Sequence, residues 1–472
     1  MTESTTSINK TKRFFSLLKQ AINGKTEQDY TIGSIRKAVF LLAIPMITEM
    51  IMESVFALVD IYFVGKIGNA AVATLALTES VLSLVYSVAI GLSMAATALV
   101  ARRVGEKNLD GAAHAGMQTI LFSTVLSLII SFTGVNFAGT ILHLMGASDR
   151  MIAENIAYTR IMFGGNIVIM LLFLINGIFR GAGDASIAMR SLIIANVCNI
   201  ILCPVLIYGL GPIPALGIKG AAIATTTGRG IGVCYQMYRL FVRKGLLHFY
   251  AAQIRPHKEL LIQIVKIGST GTIQFLVSSA SWIFLARLMA GFGEGAMAGY
   301  QVAIRMLIFF LLPAWGLSNA AATLTGQNLG AGKPERAEQS VKTTAGYSVI
   351  YMVCVSLFFF LLGTPVVNFM NSDPQARHFA IQALQIISLG YVFFGIEMVM
   401  MNAFNGAGDT QTPTLVNLIA FWLFQIPVAW VLSTHFIKEP RGVFYAVLIS
   451  QVVAAGLSYY LFKKGRWKRV KV

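Results

Sequence analysis

Long runs of apolar residues, each of about 20 to 30 residues, recur along almost the whole chain, separated by short polar or glycine-rich connections. At about 1.5 Å of rise per residue, a helix of this length crosses a hydrocarbon core of about 30 Å. The runs are continuous rather than alternating in polarity, which argues against a membrane β-barrel. The pattern therefore predicts an all-α integral membrane protein with about twelve transmembrane helices.

The predicted spans fall into two groups of six. The spans of the first group lie near 37–64, 70–98, 112–142, 152–178, 185–208 and 218–242. Those of the second group lie near 259–288, 295–325, 338–369, 377–403, 411–434 and 442–462.

The two groups are copies of one design. The residues Gly-Ala-Gly-Asp at 181–184 return 225 residues later at 406–409, and the same offset carries Gly-Leu-Ser at 91–93 onto 316–318. Several landmarks at one constant spacing indicate a duplicated unit. Because six spans per copy is an even number, both copies enter the membrane from the same side, as a parallel 6 + 6 repeat about an axis along the membrane normal.

These boundaries divide the chain into five parts. They are a cytoplasmic amino-terminal tail (1–36), an amino-terminal six-helix lobe (37–242), a cytoplasmic linker that includes Lys244 (243–258), a carboxyl-terminal six-helix lobe (259–462) and a basic cytoplasmic tail (463–472).

Composition supports a membrane environment, because 56% hydrophobic and 12% charged residues cannot cover a soluble globule. The net charge of +17 would suggest nucleic acid as a partner of a soluble protein. Here most Lys and Arg lie in the two tails and in the even-numbered connections, which is the positive-inside distribution. The distribution predicts a multi-pass cell-membrane protein with both termini in the cytoplasm and no nucleic-acid partner.

The amino-terminal tail has two interpretations. Apolar Phe14, Phe15, Leu17 and Leu18 stand among basic residues, as in a short helix that lies on the inner leaflet. A disordered tail fits the composition equally well. No cleavable signal peptide is visible, because the first 30 residues lack a continuous apolar core.

The first predicted span carries a stripe of acids, Glu49, Glu53 and Asp60, spaced by four and seven residues and therefore close to one helix face. Carboxylates at membrane depth are costly unless they face a wet cavity, meet donors or take up a proton. We interpret the stripe as an ion or proton pathway; the alternative is hydrogen bonding between helices. Pro45 removes a backbone hydrogen bond from the same helix and allows it to bend.

The second copy carries no such stripe, since Gln274 stands at the position of Glu49. Its main buried acid is Glu397, which lies in a run with Phe394, Met398 and Met401. Thioethers adapt to bulky ligands and aromatic faces attract cations, so these residues, together with Gln274, predict a substrate cavity. Ordinary helix packing is the alternative.

Enzyme chemistry has no support in the sequence. Residues 326–333 resemble a phosphate-binding loop, but the interval is one residue too long and Pro334 replaces the hydroxyl that would meet magnesium. We interpret this segment as a cytoplasmic turn. The four cysteines lie in apolar spans, so neither a disulfide nor a zinc site is expected, and no cofactor is predicted.

Taken together, the motifs resemble the multidrug and toxic compound extrusion (MATE) family over residues 36–463. The resemblance rests on four features: Leu58–Gly65 with Pro45 upstream, the two Gly-Ala-Gly-Asp turns, the segment 330–337 and the segment 220–225.

The resemblance implies two six-helix bundles around a central cleft, with efflux of organic compounds in exchange for protons or sodium. Family members carry a first-helix aspartate, matching Asp60, as the main coupling residue of the amino-terminal lobe. A fifth-helix asparagine matches Asn199, a sixth-helix threonine matches Thr225, and the proline at which the first helix bends matches Pro45.

One position departs from the family. Many relatives place an aspartate four residues after the asparagine, where this chain has Cys203. A thiol is a poor ligand for sodium, which prefers hard oxygens. The departure favours protons over sodium near Asp60, with Glu49 or Glu53 supplying the missing acid.

The expected function is therefore ion-coupled export of small organic, cationic or amphipathic compounds by a monomer surrounded by membrane lipids. Two other functions fit the span pattern: a lipid-linked oligosaccharide flippase of related architecture, and a membrane binding protein that transports nothing. A flippase of that kind has about fourteen spans and a cationic cavity, whereas this chain has about twelve spans with acids in them.

Overall fold

The computed structural model describes residues 2–24, 28–243, 245–370 and 373–472. Nearly every residue in these ranges belongs to a helix, and they contain no β-strand apart from one isolated bridge between Leu210 and Ile213. The all-α fold that the apolar runs predict is confirmed. Lys244 of the predicted linker and residues 25–27 of the predicted tail lie outside the described residues.

Nine helices are described up to residue 243. They are α1 (Thr2–Asn23), α2 (Ile35–Gly65), α3 (Asn69–Gly105), α4 (Leu109–Asn136), α5 (Ala138–Leu144), α6 (Asp149–Gly164), α7 (Asn166–Ala182), α8 (Ala185–Tyr208) and α9 (Ile218–Phe241).

Eight α-helices are described from residue 245 onward. They are α10 (Lys258–Ala290), α11 (Glu294–Gly330), α12 (Pro334–Met370), α13 (Pro374–Leu389), α14 (Tyr391–Ala407), α15 (Gln411–Asn417), α16 (Ile426–Val431) and α17 (Arg441–Lys464). Two π-helical segments, Leu418–Gln425 and Leu432–Phe436, follow α15 and α16 and continue the same helical run.

The chain forms two compact units. The first unit consists of Met1–Asp29 and Ile44–Thr272, and the second of Tyr30–Ala43 and Ile273–Val472. These bounds differ from the predicted lobes because α2 and α10 each contribute residues to both units. The division of α2 falls two residues before Pro45, inside a helix that runs unbroken from Ile35 to Gly65.

Within the described residues, ten helical segments are long and apolar enough to cross a membrane, and α13 with α14 makes an eleventh if that bent pair is one span. The predicted sixth span is present as α9, but its Lys219, Arg229 and Arg239 leave it less apolar than the other spans. The twelve predicted spans therefore all correspond to helices.

Two predicted spans at equivalent positions of the repeat are broken helices, and the span near 112–142 is also divided, into α4 and α5 on either side of Phe137. The span near 152–178 is α6 followed by α7, which meet at Gly165, and the span near 377–403 is α13 followed by α14, which meet at Gly390 with a bend of 55°. Gly165 and Gly390 are 225 residues apart, so both breaks follow the internal repeat. The hydropathy pattern does not reveal these two breaks, because glycine interrupts a helix without making the apolar run polar.

The connection between the second and third predicted spans, 99–111, is mostly helical. Helix α3 continues to Gly105, and Arg102 and Arg103 lie in its last turn, where cations are favourable beside the carbonyl end of a helix. The side chain of Asn108 then caps α4 by accepting a hydrogen bond from the backbone N–H of Gly111 at 2.8 Å. In the same way, residues 326–330 of the predicted turn belong to the end of α11.

The repeated Gly-Ala-Gly-Asp turns have the same backbone geometry. Gly183 and Gly408 adopt left-handed φ angles of 87° and 85° at the ends of α7 and α14. In each turn the following aspartate N–H, of Asp184 or Asp409, donates to a carbonyl five residues earlier at 2.9 Å. These are matching Schellman-type helix ends, which confirms the duplication predicted from the sequence.

The amino-terminal tail is helical over α1, whose last turn lies against α8 in the first unit. Arg190 of α8 donates to the carbonyl oxygens of Ile22 and Asn23 at 3.0 and 2.7 Å. A cation at the carbonyl end of a helix is a favourable cap. The helical interpretation of the tail is confirmed, while its position on a membrane leaflet stays a prediction.

Candidate functional site

The acid stripe of α2 leads into three different environments within the first unit. Glu49 is buried with 1% exposure, whereas Glu53 and Asp60 are half-buried. The helix turns each carboxylate toward a different set of neighbours. The three carboxylates of the stripe therefore have different hydrogen-bond partners.

Asp60 lies in a closed ring of neutral hydrogen-bond donors. Thr225 Oγ1 donates to Asp60 Oδ2 at 2.9 Å, and Asn199 Nδ2 donates to Asp60 Oδ1 at 3.2 Å and to Thr225 Oγ1 at 3.3 Å. The thiol of Cys203 donates to Asp60 Oδ1 at 3.6 Å. The structure brings together the four residues that the sequence grouped around the coupling aspartate.

Helices α8 and α9 place these donors by packing closely. Asn199 and Cys203 are four residues apart on one face of α8, and Thr225 faces them from α9. A β-carbon at Gly228 would lie 2.8 Å from the carbonyl oxygen of Ala195, so a larger residue there would separate the two helices. Small residues at such crossings are typical of helix pairs in membranes.

Glu53 is paired with a buried arginine. Arg229 Nη2 donates to Glu53 Oε1 at 2.9 Å, and Arg229 is only 5% exposed. Its guanidinium carbon lies 4.7 Å from the ring centre of Phe56 and 5.6 Å from that of Tyr86. Both rings face the cation and replace part of the water it has lost.

Glu49 is paired with the second buried arginine, Arg180, at the end of α7. Arg180 Nη1 donates to Glu49 Oε1 at 3.1 Å, and Arg180 Nη2 donates to the hydroxyl of Ser93 at 2.8 Å. The Ser93 hydroxyl in turn donates to the carbonyl of Phe173 at 2.8 Å. This network connects α2, α3 and α7.

Neither arginine was given a role from the sequence. Arg180 stands in the repeated turn, and Arg229 lies within a predicted span only four residues after Thr225. An ionisable residue in an apolar span is itself a signal for a buried partner. Glu49 and Glu53, which the sequence predicts as sources of a second acid beside Asp60, are each bonded to an arginine.

The second unit carries a neutral version of the Glu49 network. The equivalents of Glu49, Ser93 and Arg180 are Gln274, Ser318 and Asn405. Asn402 donates to the Ser318 hydroxyl at 2.8 Å, in the place of an arginine. Gln274 Oε1 and both polar side-chain atoms of Asn405 are buried without a hydrogen-bond partner in the described part of the chain.

The predicted cavity residues of the second unit do not form one group. Glu397 is 5% exposed, and its Oε2 has no hydrogen-bond partner among the described residues. Phe394 and Met398 pack against one apolar cluster around Tyr391. Met401 belongs to a second apolar cluster, so ordinary helix packing accounts for much of this run.

No group of three or more His, Cys, Asp or Glu that would hold a metal ion occurs in the described ranges. Around Asp60 the nearest polar atoms are an amide N–H, a hydroxyl and a thiol. These groups satisfy the carboxylate by hydrogen bonds.

Comparison with known proteins gives consistent matches. A family model described as MatE matches residues 45–205 and 270–431. The chain is similar to the probable multidrug resistance protein NorM of Thermotoga maritima, with 26% identity over 449 residues that cover 93% of this chain and 94% of that protein. It is also similar to the multidrug export protein MepA of Staphylococcus haemolyticus, with 25% identity over 91% of this chain and 93% of that protein.

Solved structures match equally well. A crystal structure of MATE in the straight conformation has a TM-score of 0.88, with 25% identity over 94% of this chain and 99% of that one. A crystal structure of MATE in the bent conformation has a TM-score of 0.86, with 25% identity over 92% of this chain and 96% of that one.

Proposed function

Since the chain belongs to the MATE family of multidrug efflux transporters, we propose that it exports organic compounds across the cell membrane in exchange for protons. Asp60 is the residue that binds and releases the coupling proton. The proposal rests on one observation: Asp60 is the only acid of the α2 stripe whose partners are all neutral. Asp60 can lose or regain its charge without leaving a buried arginine unpaired.

Protonation rearranges the ring around Asp60. The ionised carboxylate accepts hydrogen bonds from Asn199, Thr225 and Cys203. Once protonated, one of its oxygens becomes a donor and needs an acceptor. Asn199 Oδ1 is buried and has no partner in the described part of the chain, so a rotation of this amide offers that acceptor.

Helix α2 transmits the change. Asp60 lies fifteen residues after Pro45, about four helical turns further along α2. Pro45 breaks the hydrogen-bond ladder of the helix and creates a point where it bends at little cost. Loss of the charge on Asp60 favours a bent α2, and its return favours a straight one.

The transport cycle follows alternating access. Substrate enters from the cytoplasm while Asp60 is ionised, and proton uptake from the outside drives release of the substrate outward. A substrate and a proton exchange in this way when each favours a different conformation of the protein. We expect cationic or amphipathic substrates. The acidic side chains of the spans outnumber the nearby basic side chains that are not already paired with an acid.

The second unit contributes to substrate binding through Glu397, Gln274, Phe394, Met398 and Met401. Its polar atoms without partners, on Gln274 and Glu397, support this assignment because such atoms are costly unless a ligand or water meets them. We propose a monomer in the cell membrane, with both termini in the cytoplasm, no cofactor, and sodium as the alternative coupling ion.

The lipid-linked oligosaccharide flippase is not favoured, and no contact of the described residues supports it over drug export. A membrane protein that binds ligands without moving them differs from an exporter only in flux. Transport measured in vesicles therefore separates these functions.

The test is efflux of a fluorescent organic cation such as ethidium from reconstituted vesicles, under a pH gradient and a sodium gradient applied separately. Wild-type protein should respond to the pH gradient. Asp60→Asn should reduce that flux to the level of empty vesicles, while Asp60→Glu should retain part of it. Wild-type flux in Asp60→Asn would refute the assignment of Asp60, and absence of flux in the wild type under both gradients would refute export.

A further inference from the structure

Arg229 lies inside the acidic site of the first unit as a fixed positive charge. It stands on α9 four residues after Thr225, on the same face of the helix. While Thr225 bonds to Asp60, Arg229 bonds to Glu53 at 2.9 Å. Helix α9 therefore presents a neutral donor to one acid of α2 and a cation to another.

The acidic charges that act on Arg229 come from two helices of the first unit. Helix α2 supplies Glu53 and Asp60, and α3 supplies Glu79, so one guanidinium acts on three carboxylates. The other titratable side chains at the site are Tyr86, Tyr158 and Cys203. The acids exceed the arginine by two charges when all are ionised, which would attract a further cation.

We propose that Arg229 is the residue that makes this site select protons over sodium, by occupying as a tethered cation the place that a metal ion would take. The proposal rests on the proposed export function and on Asp60 as its coupling residue. It assigns the ion selectivity of that site to a side chain beyond the Asp60 ring.

The geometry supports this role in two ways. The guanidinium already occupies Glu53 Oε1, which removes a hard oxygen from any sodium shell that would use Glu53. Its charge also weakens the attraction of the three acids for a metal ion, and burial beside two aromatic rings prevents water from screening that effect. A proton needs only one oxygen of Asp60, so it is the cation that the site still accepts.

Few hydrogen bonds hold the guanidinium of Arg229 in place. Its Nε and Nη1 are buried without hydrogen-bond partners in the described part of the chain. A guanidinium kept for structural bonding would use more of its five donors. Arg229 is held by charge and by the rings of Phe56 and Tyr86 more than by hydrogen bonds, which suits an electrostatic function.

The main test compares three variants in the vesicle assay: Arg229→Gln, Arg229→Lys and the double variant Glu53→Gln/Arg229→Gln. Arg229→Gln leaves Glu53 free, and we expect sodium-driven efflux at least about tenfold above wild type. Arg229→Lys keeps the charge and should respond to pH alone. The double variant removes both charges of the pair and should also respond to pH alone.

A second variant covers the case in which Arg229→Gln does not fold. Arg229→His carries a positive imidazole below about pH 6 and a neutral one above about pH 8. With equal pH on both sides of the membrane, a sodium gradient should then drive efflux at pH 8 and not at pH 6. A sodium response independent of pH, or none at either pH in folded protein, would overturn the proposal.

Failure of the inference is distinct from failure of the export proposal. If wild type is driven by protons, Asp60→Asn is inactive and folded Arg229→Gln gains no sodium response, the role of Arg229 is wrong and export stands. If wild type is itself driven by sodium, Arg229 does not exclude that ion and its role is again wrong. Loss of all flux in wild type refutes the export on which both depend.

Discussion

Glu49 and Arg180 form a buried ion pair between α2 and α7, with 3.1 Å between Oε1 and Nη1. Their equivalents in the second half of the chain, Gln274 and Asn405, are neutral. Removing one member of a buried pair leaves an uncompensated charge, which costs far more than replacing both. The second half thus shows which neutral pair the fold accepts at these positions.

The pairing of Glu49 with Arg180 predicts how substitutions at these two positions change the free energy of unfolding. Arg180→Asn alone should lower the free energy of unfolding by about 3–5 kcal/mol, because Glu49 is left buried without its cation. The double variant Glu49→Gln/Arg180→Asn, which copies Gln274 and Asn405, should recover most of that loss. Thermal unfolding in detergent provides the measurement, and equal losses in the single and double variants would contradict the pairing.

Thr225→Val should weaken proton-driven efflux without unfolding the protein. Valine has nearly the same shape as threonine but lacks the hydroxyl that donates to Asp60 at 2.9 Å. A hydrogen bond to a charged group contributes about 1.5–3 kcal/mol, so the flux should fall about tenfold or more. Thr225→Ser restores a hydroxyl and is the control; a valine variant with wild-type flux would show that this bond has no part in coupling.

Cys203→Asp should introduce a response to sodium. The thiol lies 3.6 Å from Asp60 Oδ1, so an aspartate there places a second carboxylate beside the first. Two carboxylates provide the hard oxygens that sodium prefers. We expect sodium, but not potassium, to raise the unfolding temperature of Cys203→Asp, with Cys203→Ser unchanged by either salt.

Asp184, in the turn between α7 and α8, should make stability depend on pH. Burial raises the pKa of this carboxyl from its ordinary value of 3.8, against the smaller lowering effects of Ser186, Arg239 and Arg190. Between pH 3.8 and the higher folded value, the folded chain binds more protons than the unfolded chain. The contribution of Asp184 to the free energy of unfolding therefore falls as pH rises through this window.

Asp184→Asn should remove this slope and raise the unfolding temperature at neutral pH. The equivalent Asp409 is the matched control, since it accepts hydrogen bonds from the Thr412 backbone N–H and hydroxyl at 3.1 and 2.6 Å. Asp409→Asn should instead lower stability by about 1 kcal/mol. Unfolding temperatures recorded from pH 4 to pH 8 compare the two, and parallel behaviour of both variants would refute the assignment.

The positions of the helices were predictable because length and apolarity determine a membrane span. The predicted fifth span, 185–208, coincides with α8, and the first differs from α2 by two residues at one end and one at the other. The breaks at Gly165 and Gly390 were missed, since a glycine inside an apolar run does not change its hydropathy.

The Asp60 ring was predictable in part. Periodicity placed Glu49, Glu53 and Asp60 near one helix face, and the family resemblance supplied Asn199 and Thr225 as neighbours of Asp60. Periodicity does not show what that face meets, because the partners come from helices more than 130 residues away. The pairing of Arg180 and Arg229 with acids is therefore seen only in the folded chain. It changes the interpretation of Glu49 and Glu53.

The two glycine turns at Gly183 and Gly408 have a consequence for how the halves diverged. A left-handed φ is costly for any residue with a β-carbon, so glycine stayed at both positions after the gene had duplicated. The ion pair of Glu49 and Arg180 had no such restriction, because the second half carries the neutral residues Gln274 and Asn405 at the equivalent positions. The two halves therefore keep the same residue where the backbone requires it and differ where two side chains can change together.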